Sequence, residues 1–430
     1  MEILVFCVTL GVALAIGVPV AFGLALGALV LVFGFSDGLP LKGMIVIMSQ
    51  RVWTGTDSFP LLAMPLFFLA GGLMEAGGIS ERLVRLGVAI VGWVRGGLSM
   101  VAVLASMMMA GISGSASADA AAIGSVMIPS MERRGYPRAY AAALLASAGS
   151  LGPIIPPSIL LVIYGSLANV SVSRLFIAGI VPGIVFGAAL LALCYVLARR
   201  GDFPREENKG LRYLARTAAD AIFPLMAPVI ILGGILGGVF TATEAAMVAA
   251  VYSFLVSKFI YRSLSWQEFF DVCYTTAISS ARVMFIIGIA AFVSWILARE
   301  RVPQTLGDHI LSIASDPLVL LLLINGIVLI FGMFLEATAI MVILLPTFLP
   351  LVAQMGIDPV FFGIILIVNL AIGTVTPALG TSLFVTTAIS RAPYAEVARN
   401  VLPFVGTMIL VLVVLTLLPK IVLWLPNTLM

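Results

Sequence analysis

From Ile3 to Phe35 the chain runs 33 residues without one charged side chain. An apolar helix needs about 20 residues to cross the hydrocarbon core of a bilayer. The run is therefore too long for one comfortable crossing. Gly17 and Pro19 fall in its middle, and proline cannot continue a helix interior, so a tight helical pair is predicted. Apolar runs recur to the end of the chain. Charged residues make up only 10% of the 430 and hydrophobic residues 62%, whereas a soluble domain carries about 25% charged. No water-facing surface can be assembled from so few charges. The expectation is an all-α integral membrane protein of many spans, with the lipid bilayer as its surroundings. The net charge of +3 is sparse and scattered between apolar runs, which excludes nucleic acid as a partner. Cys7, Cys194 and Cys273 lack a CxxC spacing and His309 is the only histidine. Neither a disulfide framework, a metal centre nor a multi-histidine catalytic site is predicted. The start, Met1-Glu2 followed by apolar sequence, has no basic n-region and reads as a first span rather than a signal peptide.

Gly38 to Thr56, with Arg51 and Trp53, suits an interfacial helix, and Phe59 to Glu75 is a further span. Ile79 to Arg95 carries Glu81, Arg82, Arg85 and Arg95 and reads as an amphipathic helix in the interface. Then two short apolar arms, within 97–131, flank the small polar stretch Gly111-Ile-Ser-Gly-Ser-Ala-Ser-Ala-Asp119. That pattern predicts a re-entrant helical hairpin whose tip reaches into the protein, where bare backbone is tolerated. Two half-length helices over 139–170 follow, separated by Gly152-Pro-Ile-Ile-Pro-Pro157. Three prolines in six residues cannot be helical, so this is a broken helix. Phe176 to Ala198 is a closing span.

The second half repeats this order. Residues 1–200 form a first repeat, 201–220 a cytoplasmic linker and 221–430 a second repeat, with a hairpin at 318–351 and a broken helix at 360–388. Adding 221 carries Gly17 to Gly238, Gly152 to Gly373, Pro156 to Pro377 and Pro182 to Pro403. Around the hairpins an offset of 217 carries Asp119 to Glu336 and Pro129 to Pro346. Six Arg/Lys residues crowd Arg199 to Arg216; Arg133, Arg134 and Arg138 follow the first hairpin, whereas Ala353 to Pro359 after the second holds none. Cytoplasmic turns are enriched in Lys and Arg, so the two repeats are predicted to be inverted, with about ten crossings plus two hairpins. Trp53, Trp93, Trp266 and Trp424 fall near span ends, as an aromatic belt does, and Arg282 is expected to snorkel to the cytoplasmic interface.

Inverted repeats with discontinuous helices are the architecture of secondary transporters. A broken helix strands carbonyls at one half-end and amides at the other; carbonyls coordinate Na⁺, and amide ends receive an anion. One site is expected to combine Ser113, Gly114, Ser115 and Ser117 with Gly152, Ile155 and Pro157. A second combines Gly332, Glu336 and Thr338 with Gly373, Thr374, Thr376 and Leu379. Tight packing of small residues is the competing reading of one such run; two runs, each followed by a proline break, favour the sites. Intramembrane acids are functional by default. For Asp119 and Glu336, three roles stay open: capping of the hairpin tip, which ranks first, cation coordination or relay, and pairing with a basic residue. No arginine lies at either tip to clamp a carboxylate, so amides and hydroxyls are expected to hold the substrate.

Gly111-Ile-Ser-Gly-Ser-Ala-Ser-Ala-Asp-Ala-Ala-Ala-Ile-Gly124 with Gly152-Pro-Ile-Ile-Pro-Pro-Ser158 resembles the large membrane (M) subunit of tripartite ATP-independent periplasmic (TRAP) transporters. So do Leu175-Phe-Ile-Ala-Gly-Ile-Val-Pro-Gly183, Gly332-Met-Phe-Leu-Glu-Ala337 and Gly373-Thr-Val-Thr-Pro377 with Gly380. The likeness covers essentially the whole chain and departs at Ala378, where a second proline is expected. It implies the ion-transporter-superfamily fold, an elevator mechanism in a bacterial or archaeal cytoplasmic (inner) membrane, and coupling to Na⁺. By likeness, one Na⁺ site falls at Ser113, Gly152, Ile155 and Pro157, and another at Gly332, Gly373, Thr376 and Leu379. Candidate substrate-lining residues are Gly114, Ser115, Ser117, Pro156, Thr338, Thr374 and Pro377. The resemblance further implies import of an organic acid, such as a C4-dicarboxylate or sialic acid, delivered by a soluble periplasmic binding protein (P). A small four-helix membrane subunit (Q) is expected as a separate chain. The alternatives are a stand-alone Na⁺/dicarboxylate symporter and, lower, a channel. An enzyme is not expected, since no HExxH-type motif accompanies His309.

Overall fold

The computed structural model describes residues 2–35, 41–201, 203–205, 207, 210–300, 316–378 and 380–430. His309 and most of the stretch from Arg299 to Ser315 lie outside the described residues. The described residues are helical throughout, with no strand. The first apolar run divides into α1 (Glu2–Ala15) and α2 (Val20–Phe35), with Gly17 at φ +84° in the turn. Next come α3 (Leu41–Thr56) and α4 (Ala63–Ala76), separated by a 3-10 turn, Phe59–Leu62, that holds Pro60. Helix α5 (Ile79–Val91) buries Ile79, Leu83, Val84 and Leu86 along one face. Its other face sends Arg82 and Arg85 to Asp220, and the Arg82 guanidinium lies 3.6 Å from the centroid of the Tyr261 ring.

Helices α6 (Gly97–Ser113) and α7 (Ala116–Arg133) meet at the two-residue turn Gly114-Ser115. Helices α8 (Arg138–Gly149) and α9 (Ile159–Ala168) flank the first proline-rich break, and α10 (Val172–Gly201) is a 30-residue helix. Helix α11 (Gly210–Leu236) begins inside the segment read as a linker, so Arg212 and Arg216 ride on a helix rather than in a loop. Then come α12 (Ala242–Leu255) and α13 (Trp266–Arg299), α14 (Pro317–Gly332) and α15 (Ala337–Gln354), and α16 (Pro359–Gly373) and α17 (Thr381–Ser390). Helices α18 (Tyr394–Leu417) and α19 (Pro419–Leu429) end the chain.

The internal repeat is visible in the helix bounds. Adding 221 to 116 and 133, the bounds of α7, gives 337 and 354, the bounds of α15; adding it to 138, the start of α8, gives 359, the start of α16. The offset of 217 used for the hairpins is corrected by this match. At 221, Glu336 corresponds to Ser115 and Asp119 to Ile340, so the two carboxylates are not equivalent. Proline spacing explains the slip, because Pro346 and Pro350 lie one turn apart on α15 and each offers a partner for Pro129. The halves also differ in one element. Where Pro60 breaks α3 from α4, position 281 (60 + 221) is Ala281, and α13 runs unbroken for 34 residues.

Among the described residues, seven helical stretches are long and apolar enough to cross a membrane, whereas α2, α6, α9, α14, α16 and α17 are shorter apolar helices. Helices α8 and α16 are buried on every side, from Ala139 to Gly149 and from Val360 to Gly373, as helices apolar all round must be. They form the centre of the main core. A second, smaller core joins α1, α2 and α3 to the C-terminal half of α13 through Phe6, Leu24, Leu31, Met44, Phe292 and Ile296. Trp53, Trp93, Trp266 and Trp424 are all exposed.

The two halves interlock at Tyr164 on α9. Its hydroxyl donates to the carbonyl of Pro359 at 2.6 Å, and its ring fills the space that a Cβ at Gly363 would need, with Cε1 only 2.4 Å away. Overpacking a well-filled core costs about 1–3 kcal/mol. Gly363→Val should therefore lower the thermal aggregation midpoint in detergent by several degrees. Gly406→Val, on a helix face where an added Cβ meets nothing within 4 Å, should leave it nearly unchanged. Equal midpoints would show that this contact does not hold the halves together.

Candidate functional site

The first tip is built around glycine. Gly114 ends α6 at φ +65°, and a Cβ there would sit 2.6 Å from the carbonyl oxygen of Pro157. A Cβ on Gly152 would lie 2.6 Å from Asp119 Oδ2 and 2.8 Å from the Ser115 carbonyl oxygen. Tip and break thus touch backbone to backbone, which only a missing side chain permits. Gly114 is brought against Pro157, and Ser115 and Asp119 against Gly152. The break carries Pro156 and Pro157, which have no N–H. Ser158 donates to the Pro153 carbonyl and accepts from Leu161 N as the cap of α9. The carbonyls of Gly152, Ile155 and Pro157 accept no hydrogen bond among the described residues.

Asp119 is fully buried in the first turn of this tip helix. Its Oδ1 accepts from the Ser113 hydroxyl, and its Oδ2 has no partner among the described residues. The capping role placed first for the carboxylates is corrected. Ser115, not Asp119, is the N-cap of α7, and Glu336 is the N-cap of α15 without a side-chain capping bond. Asp119 binds the Ser113 hydroxyl at the end of α6, and that hydroxyl in turn accepts from Ser115 N at 3.2 Å.

The second tip and break meet through Gly332 and Gly373, where a Cβ on either would come within about 3 Å of the other's Cα. The break itself is better bonded than the first. Thr376 donates its hydroxyl to the carbonyls of Ile372 at 3.1 Å and Gly373 at 2.9 Å, and its N–H to Gly373 O at 3.3 Å. Gly380 N donates to Thr376 O, and Ser382 N to Thr374 O, both at 3.0 Å. Leu379 lies outside the described residues.

Both halves converge on one cleft of about 100 Å³. The start of α7 supplies Gly114, Ser115, Ala116 and Ser117; the start of α9 supplies Ile159 and Leu160, beside Pro153. From the second half come Glu336, Ala337 and Thr338 at the start of α15, then Thr374 and Thr381 at the start of α17. Phe68 and Val283 close the wall. Four helix N-termini thus face one space, and three of them, α7, α15 and α17, have no side-chain cap. No basic side chain lines it.

Of the candidate substrate-lining residues, Gly114, Ser115, Ser117, Thr338 and Thr374 line this cleft, whereas Pro156 and Pro377 do not. Pro156 instead packs on Gly179 of α10, and the Pro377 carbonyl accepts from the Tyr394 hydroxyl. Ile155 likewise turns its side chain to Gly183. Phe68, Val283 and Thr381 were missed, as was Arg282, whose charge acts on Glu336. The uninterrupted α13 brings Val283 to the cleft and Arg282 near Glu336; Arg282 stands out in the sequence only as a residue expected at the interface.

Comparison with known proteins follows this geometry. A family model described as tripartite ATP-independent periplasmic transporter, DctM component, matches residues 7–421. The chain is 37% identical to the C4-dicarboxylate TRAP transporter large permease protein DctM of Vibrio cholerae serotype O1, over 99% of this chain and 98% of that one. It is 38% identical to the sialic acid TRAP transporter large permease protein SiaM of the same organism, over 96% and 95%. With the 2,3-diketo-L-gulonate TRAP transporter large permease protein YiaN of Escherichia coli it shares 38%, over 98% of each. The fold is similar to that of the Alcanivorax borkumensis YdaH transporter, with a TM-score of 0.65 at 15% identity over 93% of this chain and 96% of that one. It is equally similar to Neisseria gonorrhoeae MtrF, with a TM-score of 0.65 at 14% identity over 99% and 95%.

Gly152→Ala should drive Asp119 and the Ser115 carbonyl away from the break. Its midpoint in detergent is expected several degrees below that of Gly406→Ala. A wild-type midpoint would mean that tip and break separate freely.

Proposed function

The chain belongs to the DctM family of tripartite ATP-independent periplasmic transporters, and from that membership we propose how its tips and breaks work. The protein is the large permease subunit of a secondary transporter for carboxylate substrates in a bacterial inner membrane, and it is not an enzyme. The substrate is an organic acid held in the cleft between the two tips. The supporting observation is the meeting of four helix N-termini there, three of them uncapped, without any lining arginine or lysine. Each N-terminus carries roughly half a positive charge and free N–H groups. Together they bind a carboxylate, with the hydroxyls of Ser115, Ser117, Thr338, Thr374 and Thr381 at hand.

Na⁺ is the coupling ion. At the first break it takes the unbonded carbonyls of Gly152, Ile155 and Pro157, with Ser113 from the tip. At the second, Gly332, Gly373 and Thr376 surround it. The halves are inverted repeats, each with a re-entrant hairpin (α6–α7 and α14–α15) and a broken helix (α8–α9 and α16–α17). About ten crossings accompany them, a count that groups short helices into shared passages. Hairpins and broken helices move together as an elevator body. The smaller core of α1, α2, α3 and the C-terminal half of α13 stays with the scaffold. A small membrane subunit completes that scaffold, and a periplasmic binding protein delivers the substrate.

Uptake into proteoliposomes containing the permease, its small subunit and a loaded binding protein should require an inward Na⁺ gradient. Equal uptake on a proton gradient alone would sink Na⁺ coupling. Thr376→Ala removes a hydroxyl oxygen from the proposed ion ligands, and a ligand contact worth about 1 kcal/mol is roughly fivefold in an equilibrium constant. Half-saturating Na⁺ should therefore rise several-fold with the thermal midpoint held. A fallen midpoint with unchanged Na⁺ dependence would make Thr376 structural only.

A further inference from the structure

The turn between α5 and α6, the end of α10 and the segment after α10 enclose a cleft of about 430 Å³. It shares no residue with the cleft between the tips. Its lining is Trp93, Val94, Arg95, Tyr195, Arg199 and Arg205, with no acid among the described residues. Arg199 and Arg205 make no ion pair among the described residues. The Arg199 guanidinium lies 4.7 Å from the centroid of the Tyr195 ring. A water takes about 30 Å³ of liquid volume, so the space equals about fourteen waters and has room for a phosphate carrying a glycerol. The walls are fixed to one another. Gly96, at φ +68°, brings the α5–α6 turn so close to α10 that an added Cβ would lie 2.2 Å from Ala198 Cβ. Its N–H donates to Pro204 O at 3.3 Å. Phe203 anchors the segment after α10 by stacking on Tyr136, with ring centroids 4.6 Å apart.

The depth of the cleft follows from helix length. The 30 residues of α10 rise about 45 Å at 1.5 Å each, against about 30 Å of hydrocarbon. Its basic end, with Arg199 and Arg200 in the last turn, therefore reaches the headgroup layer. Trp93 is half exposed, and tryptophan favours that same level. Ile184, Ala188, Ala192, Tyr195 and Arg199 follow one another at helical spacing along one face of α10, and all five are exposed. We propose that this cleft binds the headgroup of an anionic phospholipid, with its phosphate between Arg199 and Arg205 and an acyl chain along the exposed face of α10. Guanidinium presents phosphate with a planar fork of N–H donors. Basic pockets between spanning helices take anionic headgroups on the cytoplasmic side, which is the side that a basic linker favours. The stripe on α10 decides the source of the phosphate: it runs into the cleft at Tyr195 and Arg199, and a soluble anion would leave it unused.

Native mass spectrometry of the full chain, alone and with its small subunit, tests the site by titration with phosphatidylglycerol or phosphatidylcholine in neutral detergent. Wild type should retain one phosphatidylglycerol in preference to phosphatidylcholine in both preparations. Arg199→Gln/Arg205→Gln should weaken that retention by roughly fivefold for each arginine and leave phosphatidylcholine unchanged. Arg212→Gln/Arg216→Gln, which removes two exposed charges from α11, should retain the lipid as wild type does. Equal retention of the two lipids, or undiminished phosphatidylglycerol in Arg199→Gln/Arg205→Gln, would overturn the proposal. So would equal loss in Arg212→Gln/Arg216→Gln, which would mean diffuse attraction to basic charge. Displacement of the lipid by an equal concentration of glycerol 3-phosphate would overturn it in favour of a soluble anion. Loss of the lipid on adding the small subunit would overturn it in favour of a subunit contact. If the double variant fails to fold, Arg205→Gln alone, outside any helix, decides: a several-fold weakening supports the site, and none overturns it.

Discussion

An amide or carbonyl stranded away from water costs several kcal/mol unless something bonds to it, and this chain strands them deliberately. Helices α8 and α16 are wrapped by protein on every side and stop in its centre. At the first stop the N–H groups of Ile154 and Ile155 both turn back to Leu151 O, and Pro153, Pro156 and Pro157 have none to donate. The carbonyls there are left for a ligand that brings positive charge. At the second stop Thr376 supplies both an N–H and a hydroxyl to Gly373 O. The rest of the architecture serves these two places: glycine-bearing tips that can reach them, and a surrounding core that excludes lipid from them.

The tips show why glycine recurs at matched points. Gly114 against Pro157, Gly152 against Ser115 and Gly332 against Gly373 each bring main chain to main chain with no room for a methyl group. Backbone groups then become the walls of the cleft, and side chains contribute mainly hydroxyls. Such a site tolerates exchange of individual side chains better than insertion of a Cβ. The fixed partial charges of helix ends cost no rotamer entropy when a ligand arrives, unlike a long basic side chain.

Much of this was legible in the sequence because glycine and proline punctuate an apolar text strongly. Gly17-Val-Pro19, Gly152 to Pro157 and the Ser/Gly/Ala run before Asp119 marked a turn, a break and a tip. Register was less legible. Pro346 and Pro350 differ by one helical turn, so an offset of 217 looked as good as 221 until helix bounds separated them, and Glu336 was matched to the wrong residue. The continuity of α13 was in principle readable, since Pro60 has Ala281 as its counterpart. Convergence was not readable. Nothing in the local pattern says that Pro156 turns to Gly179, that the Ser113 hydroxyl claims Asp119, or that Arg282 comes to lie near Glu336.

The two halves match in helix bounds but not in chemistry, and the difference bears on transport. Thr376 stands where the first half has Ile155, and Ala378 where it has Pro157 (155 + 221 and 157 + 221). One break therefore offers bare carbonyls, and the other offers carbonyls already bonded to a hydroxyl and an amide. An ion entering the second must displace or share existing hydrogen bonds, each worth about 1 kcal/mol net, whereas at the first it relieves unbonded oxygens. On the proposed reading of both breaks as Na⁺ sites, equal affinities are not expected from such unequal starting points, and the first break should fill at lower Na⁺.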